Sequence, residues 1–593
     1  MASPDSKRID NLDQISQLPE SMILNILSRL PLEDSARASI LSKTWKRFCS
    51  LYPILYFDHN LFALQSLVAA KEGGGGPDIN QIRDMFMDHV DYQLSGAMLL
   101  DSPIRKIALT VAINDSMYFS RVDKCMELVR QINVEDLCIT VQSADFMSKD
   151  VIIRSSVVYE LPLPLLASKG LRSAYIQGCK FGYETLIGDP INKYFSLQRL
   201  CLSHVFMDEH VLENLITRCQ GIEILVLDKC SVEIEFLTLS KFPKLKKAVI
   251  RLQASKFDII IVDIQDTNLE CLKCYDGGHG TETEVLVSPV ACAGIRVLTL
   301  EQDTYFQSDL LKDITATFPL LEEGVFYDPA IDTFKAASTV LRKLTICRYP
   351  LGLGPASDCM EEVHIDCPSL TFLDCSAYKL SELYVDCPKL REFNYSGSTV
   401  PDRVFCSPMA NLEKSRCNIS TYQAYDTLSL VKLRSFLIII IGNATDVELN
   451  LKLPMAKYEP EKVEAIEVSS RCNVHLNLDL IDDNVQNVAV LMDDLLWIIR
   501  PTTFTVNCKN YYVVEYLCEN LVKKSQDKIC GEQICHPCWL HQIEDFQVES
   551  SLDISDIKEN LASLQEQCRA IINRSDGQVR EDKICFKLHW CNN

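Results

Sequence analysis

The chain has 593 residues, a formal net charge of −22 and an isoelectric point near 5.0. So acidic a balance argues against a nucleic-acid partner, since neutralising phosphates needs a basic face, and no Lys/Arg run supports a membrane surface. Hydrophobic residues make up 47% and mean hydropathy is +0.03, which allows a large core over several domains or one long array.

No basic-then-apolar leader opens the chain, and the longest purely apolar run, Phe436 to Ile441, is far short of the roughly 20 residues that span a bilayer. The expectation is a soluble intracellular protein of the cytoplasm, the nucleus or both. Its 26 cysteines then read as small buried hydrophobes in a reducing compartment, not as disulfides.

Residues 1–12 form a short polar lead. In residues 15–47, two Leu-Pro steps, Leu18-Pro19 and Leu30-Pro31, bracket a segment with a helical apolar stripe. Each proline can open a helix, where its missing N–H is no loss. Ile23, Ile26, Leu27 and Leu30 fall at i, i+3, i+4 and i+7 and so share one face, with Met22 and Leu24 beside it. Ser42 can cap a third helix carrying Trp45. So small a unit cannot bury this much apolar surface alone and reads as a docking surface.

The string resembles a plant-type F-box, "LP-x-x-(I/L)-(I/L)-x-x-I-L-S-x-L-P" followed by "A-R-x-S-(I/V)-L-S-K-x-W". Thr44 stands where Arg is usual, and Phe48-Cys49 where Leu-Trp is usual. The resemblance implies a face that docks a Skp-type adaptor, made by Leu18, Pro19, Ile23, Leu24, Ile26, Leu27, Leu30, Leu32, Leu41 and Trp45. An ordinary helical cap on a repeat array is the plainer alternative. The segment Tyr52-Pro53 to Phe57-Asp58 resembles the "P-x-L-x-F-D" exit of such proteins, which places the F-box at 13–58.

Residues 59–100 read as a helical linker. Leu61–Ala70 is helical in pattern, Gly73-Gly-Gly-Gly-Pro77 breaks the chain, and Ile79, Ile82, Phe86 and Val90 restore helical spacing to about Leu94. No Gly-Lys-Ser/Thr follows the glycines, so they are not a phosphate loop.

Over residues 101–510 the chain is periodic, with apolar residues at offsets 0, 3 and 5. Clear copies are Ile104-Ile107-Leu109, Val134-Leu137-Ile139, Leu171-Ala174-Ile176, Leu197-Leu200-Leu202, Ile222-Leu225-Leu227, Leu245-Ala248-Ile250, Leu269-Leu272-Cys274, Ile295-Leu298-Leu300 and Leu341-Leu344-Ile346. From Leu171 to Leu321 the starts lie 26, 25, 23, 24, 26 and 26 residues apart, with Gly324 in the middle position of the last copy. That is the period of a leucine-rich repeat. Two apolar positions two apart point to one side of a short strand, and parallel stacking buries that side. Helices are readable at Met207–Arg218 and Leu310–Phe318.

Between 360 and 396 the units start ten residues apart, and Ile365-Asp-Cys-Pro-Ser369 recurs as Val385-Asp-Cys-Pro-Lys389. Each Cys-Pro turns the chain, so both sides of the coil are expected to be extended. Weaker copies fall at Leu433-Phe436-Ile438, Val463-Ile466-Val468, Val485-Val488-Val490 and Ile543-Phe546-Val548. The segment Tyr159-Glu-Leu-Pro to Cys179 resembles the "ELP…L-x-x-L-x-L-x-x-C" start of plant F-box/leucine-rich-repeat proteins, and Cys538-Trp539 to Val548 their C-terminal region. No copy of the FBD domain that closes many of them stands out. Residues 511–593 read as a C-terminal extension and cap, with an amphipathic helix (Ile554, Ile557, Leu561, Leu564, Cys568, Ile571) and an alternating strand Ile584-Phe586-Leu588-Trp590.

Chemistry-bearing motifs are few. Cys530, Cys535, His536, Cys538 and His541 use zinc-ligand vocabulary, with Cys585, His589 and Cys591 as conceivable completions, but a second Cys-x2-Cys is missing, and a loop with thiols is the preferred reading. There is no His-Glu-x-x-His, Gly-x-Ser-x-Gly or Gly-x-Gly-x-x-Gly. Carboxylate pairs such as Asp482-Asp483 and Asp493-Asp494 suit an acidic solvated surface. Gly277-Gly-His-Gly280 reads as a long connection.

The fold class expected is α/β: a three-helix F-box, a leucine-rich-repeat solenoid (a parallel-strand horseshoe) with irregular repeats, and a C-terminal cap. The resemblance implies a non-catalytic substrate-recognition subunit of a Skp–cullin–F-box ubiquitin ligase, with no cofactor, metal, nucleic acid or membrane. Its partners would be a Skp-type adaptor, the cullin–RING ligase and an unidentified substrate protein. The alternative is a leucine-rich-repeat scaffold acting outside any ligase.

Overall fold

In a computed structural model of the chain, the residues described run from 54 to 591 with interruptions, the longest being 143–157, 182–195, 349–358, 454–471, 526–537 and 551–582. Before residue 54, only 18, 19, 22, 23, 26, 42, 43 and 45 are described. The fold is α/β and mostly parallel sheet. It divides into two compact units, residues 1–260 with 277–281, and residues 261–276 with 282–593.

In the first unit the parallel strands run in chain order: Ile54–Asp58, Lys106–Ala112, Asp136–Gln142, Ser173–Gln177, Arg199–Ser203, Ile224–Glu233 and Lys247–Ala254. The repeat fixes their register. The offset-3 residues Ile107, Leu137, Ala174, Leu200, Leu225 and Ala248 stand opposite one another from strand to strand. Their offset-5 partners do the same, and both sets are buried. The offset-0 residues, from Ile104 to Leu245, are buried as well. Each fully buried leucine contributes about 1.5–3 kcal/mol of hydrophobic burial.

The expected helix after Met207 forms at Glu209–Arg218 and buries Val211, Leu212, Leu215 and Ile216. Asp208 accepts the Val211 N–H at 2.8 Å, and that cap sets the helix start two residues later than the pattern alone suggests. The linker helices also form, at His59–Lys71 and Ile79–Met98. The glycine run falls outside the described residues.

In the second unit, parallel strands run through Cys271–Cys274, Val297–Leu300, Glu323–Tyr327, Lys343–Arg348, Phe372–Ala377, Glu392–Gly397, Lys414–Ser420, Asp446–Leu453, Asn473–Leu480 and Thr503–Asn507. The degenerate Leu321 copy has a steric reason. A Cβ on Gly324 would lie 2.8 Å from the Phe326 ring, which fills the space the usual apolar side chain takes. Leu310 lies outside the described residues, and of the helix expected there only Ile314–Thr317 is helical, capped by Asp313.

The ten-residue rhythm is explained by a second parallel sheet: Thr333–Ala337, Cys359–Asp366, Lys379–Asp386 and Arg403–Cys406. Units starting at 360 and 380 lie in this sheet, and those starting at 370 and 390 lie in the first. Both sides of the coil are extended here, as the pattern predicts. The turns are made where expected, with the Leu370 N–H donating to the Cys367 carbonyl and the Leu390 N–H to the Cys387 carbonyl, each at 3.0 Å. A further copy that escapes the sequence reading is Ile331-Phe334-Ala336, whose Phe334 stands opposite Val363.

Two of the weak late copies are corrected. Leu433-Phe436-Ile438 lies in the helix Thr427–Ile441, and Val488 and Val490 lie in the helix Val488–Ile499. Dense apolar runs meet a 0-3-5 rule by accident, because helical packing also wants apolar residues three apart. The true strands there alternate strictly, as in Val447-Leu449-Leu451-Leu453, all buried. Ile543–Ser550 is a strand, but it pairs antiparallel with Lys583–Trp590, which in turn runs antiparallel to Thr503–Asn507. The last strand therefore joins the sheet in the opposite sense, with Ile584, Phe586 and Leu588 buried. Val463–Val468 and the amphipathic segment after Asp553 fall outside the described residues. Among the described residues, no helix is long and apolar enough to cross a membrane.

Leu344→Ala is expected to cost about 2–5 kcal/mol, because a fully buried ladder position is emptied. Thr345→Ala, on the opposite side of the same strand, should change stability by less than about 0.5 kcal/mol. Urea unfolding of both variants checks the contrast.

Candidate partner-binding surfaces

The proline of the first Leu-Pro step sits where a helix begins. The Pro19 carbonyl accepts the N–H groups of Met22 at 2.8 Å and Ile23 at 3.1 Å. Ser42 caps as its position suggests, its Oγ accepting the Trp45 N–H at 3.2 Å. Of the residues expected on the docking face, Pro19 is exposed, Leu18 half-buried and Ile26 38% exposed. Ile23 and Trp45, at 0% and 3%, are buried in the chain itself and offer no surface in this conformation. Met22, placed only beside the stripe by its spacing, is 55% exposed. Leu24, Leu27, Leu30, Leu32 and Leu41 lie outside the described residues.

The exit of this segment is built into the first unit. Strand Ile54–Asp58 pairs in parallel with Lys106–Ala112, Ile54 opposite Lys106 and Asp58 opposite Thr110. Asp58 then caps the next helix, accepting the Asn60 N–H at 2.8 Å and the Leu61 N–H at 3.1 Å. Behind it His59 is buried, its ring edge-on to Phe86 at 5.3 Å. Burial, and then the nearby Arg83 charge, lower its pKa, so the ring is neutral near pH 7.

The outward side of the second unit's main sheet carries polar rows in register. Ser396, Asn418, Asn450 and Asn477 stand opposite one another in turn. Asn477 Nδ2 donates to Asn450 Oδ1 and Asn450 Nδ2 to Asn418 Oδ1, both at 2.6 Å, and Asn418 Nδ2 donates to Ser396 Oγ at 3.0 Å. In the adjacent row Arg416 pairs with Glu448 at 2.8 Å. Burial alone would raise the Glu448 pKa, but hydrogen bonds from Arg416 and Asn450 outweigh it and hold the carboxyl low. A cleft of about 340 Å³ is lined here by Asn418, Asn450, Asn477, Lys452, Asp479 and Lys583. Such a lining offers amide donors, acceptors and both charge signs, which suits recognition of polar groups.

The cysteine motifs are structural where they are described. Cys367 and Cys387 of the Asp-Cys-Pro repeats are fully buried, and the Cys367 thiol donates to the Ala336 carbonyl at 3.5 Å. Cys530, Cys535 and His536 lie outside the described residues. Among the described residues, no group of three or more His, Cys, Asp or Glu side chains is placed to hold a metal ion. Cys538 opens a short turn whose Trp539 is buried and donates its indole N–H to Asp493 at 2.8 Å, so one of the carboxylates read as solvated has a packing role.

Comparison with known proteins finds two matching families. A profile for the F-box domain matches residues 15–56. A second, described as FBD-associated F-box protein At5g56370, LRR repeats, matches residues 123–289. The chain is 29% identical over 253 residues to the Arabidopsis thaliana F-box/LRR-repeat protein At3g59190, covering 41% of this chain and 58% of the relative. It is 30% identical over 217 residues to the F-box protein At3g59000 of the same plant, covering 36% and 40%. The chain thus spans from two fifths to under three fifths of the length of these curated relatives. An F-box stands at its N-terminal end, followed by leucine-rich repeats.

Burial lifts the Cys230, Cys274 and Cys375 thiols from about 9 to about 12. A raised folded-state pKa means this stability is fully present below pH 9 and is lost as pH rises from 9 towards 12, where the unfolded chain ionises first. Unfolding followed by circular dichroism under reducing conditions should show this alkaline loss. Replacing Cys230 by Ala should shrink it.

Proposed function

We propose that this F-box/leucine-rich-repeat chain is the substrate-recognition adaptor of a Skp–cullin–F-box ubiquitin ligase. The observation that carries the reading is the F-box match over residues 15–56, followed by a parallel array whose outward rows are polar and suited to binding. Pro19, Met22 and Ile26, exposed in the isolated chain, are the surface offered to a Skp-type adaptor. Ile23 and Trp45 hold that surface from within. Leu18, Leu24, Leu27, Leu30, Leu32 and Leu41 complete the docking segment on the strength of the motif.

The function needs no reactive group on this chain. An adaptor that holds a substrate protein and a charged conjugating enzyme in one assembly makes transfer effectively intramolecular, and the gain is one of effective concentration. The outward sheet rows are where the substrate protein would be read, and the working compartment would be the cytoplasm, the nucleus or both. The domain plan that goes with this reading is an F-box at 13–58, a helical linker at 59–100, the repeat array at 101–510 and a C-terminal cap at 511–593.

Changing Leu18 and Pro19 to Ala, or Met22 and Ile26 to Asp, is expected to abolish co-purification with a Skp-type adaptor while circular dichroism keeps its sheet signal. Undiminished co-purification of these variants would refute the docking surface. Failure of the intact chain to bind any Skp-type adaptor would leave a repeat scaffold acting outside a ligase.

A further inference from the structure

The Asp-Cys-Pro repeats are the strongest local motif that the adaptor reading leaves unused. Their cysteines face inward, and the second sheet of the second unit has an outward side with an unusual arrangement. Lys335, His364, Tyr384 and Phe405 stand opposite one another on successive strands. The His364 and Tyr384 rings stack at 4.1 Å, and Tyr384 and Phe405 are 36% and 54% exposed. Parallel strands lie about 4.8 Å apart, so this is a continuous aromatic stripe across the sheet.

Carboxylates flank the stripe on both sides. On one side Glu362 stands opposite Glu382, and these have cations of their own, Lys335 at 3.8 Å and Arg403 at 2.8 Å. On the other side the motif aspartates, Asp366 and Asp386, stand directly opposite each other. Asp386 accepts a hydrogen bond from the Ser407 hydroxyl at 2.7 Å, and among the described residues neither aspartate has a cationic partner. Like charges placed opposite on a sheet repel. A cation laid between them would relieve that repulsion, and an adjacent ring face attracts the same cation through its quadrupole.

We propose that this face docks a segment of a partner protein rich in arginine, with guanidinium groups over Tyr384 and Phe405 and hydrogen bonds to Asp366 and Asp386. Arginine is favoured over lysine because its planar group stacks on a ring while donating to a carboxylate in the same plane. This surface does not depend on the ligase reading, since it needs neither the N-terminal helices nor the polar rows of the main sheet.

The test is fluorescence anisotropy of the full chain with a fluorescein-labelled (Arg-Thr)5 peptide, beside (Lys-Thr)5 and (Glu-Thr)5. The arginine peptide should bind most tightly and the glutamate peptide not at all. Tyr384→Ala with Phe405→Ala should weaken binding about tenfold, as should Asp366→Asn with Asp386→Asn. Phe405→Leu keeps the apolar surface but removes the ring and should weaken binding as well. Glu209→Gln with Glu213→Gln, on a helix of the first unit, controls for the chain's overall negative charge and should have no effect. Absence of binding by the unaltered chain overturns the proposal. So does equal weakening by the control pair, or binding indifferent to loss of the rings, since either would reduce the attraction to net charge alone. Unchanged thermal midpoints confirm that the exposed substitutions leave the fold in place.

Discussion

Strand register is the constraint on which the rest depends. In both units, the apolar residue at offset 3 of one strand stands opposite its counterpart on the next, and offset 5 follows two residues on. Because side chains alternate with a period of two, a slip of one residue would turn every buried ladder residue outward and bring charged ones in. The penalty repeats at each strand, so the register is fixed collectively. One consequence is that the outward residues are aligned too. Rows such as Asn418-Asn450-Asn477 and His364-Tyr384-Phe405 exist because the inward rows cannot shift.

The sequence discloses this framework unevenly, for physical reasons. Where long strands of the main sheet are separated by polar turns, from Ser173–Gln177 to Lys343–Arg348, a 0-3-5 rule finds them, but it misses strands outside that sheet such as Ile259–Ile264 and Thr333–Ala337. Where helices are themselves almost wholly apolar, as in Leu433–Ile441, the rule cannot tell a helix from a strand. The strands it overlooks there, at 446–453 and 473–480, follow the simpler alternation of period two. Gly324 is a different failure: the position is degenerate because Phe326 folds into its place, which no local pattern could announce.

The docking segment was legible as a motif and only partly as a surface. Spacing put Ile23 and Ile26 on one helical face, yet one is buried and the other is 38% exposed. A stripe wider than about 100° can serve core and surface at once, and which residue does which depends on neighbours outside the helix. Trp45 shows the same limit. A large aromatic in a small unit is as valuable to that unit's core as to a partner, and here the core has it.

The strand at Ile54–Asp58 also sets a reach. Trp45 and the first residue paired in the sheet, Ile54, are nine positions apart in the sequence. A chain extends by at most ~3.3–3.6 Å per residue, so the separation of these two residues cannot exceed about 32 Å. Whatever docks close to Trp45 is therefore held within that distance of the first strand of the sheet. Inserting a few residues between Trp45 and Ile54 would relax that limit without touching the docking residues.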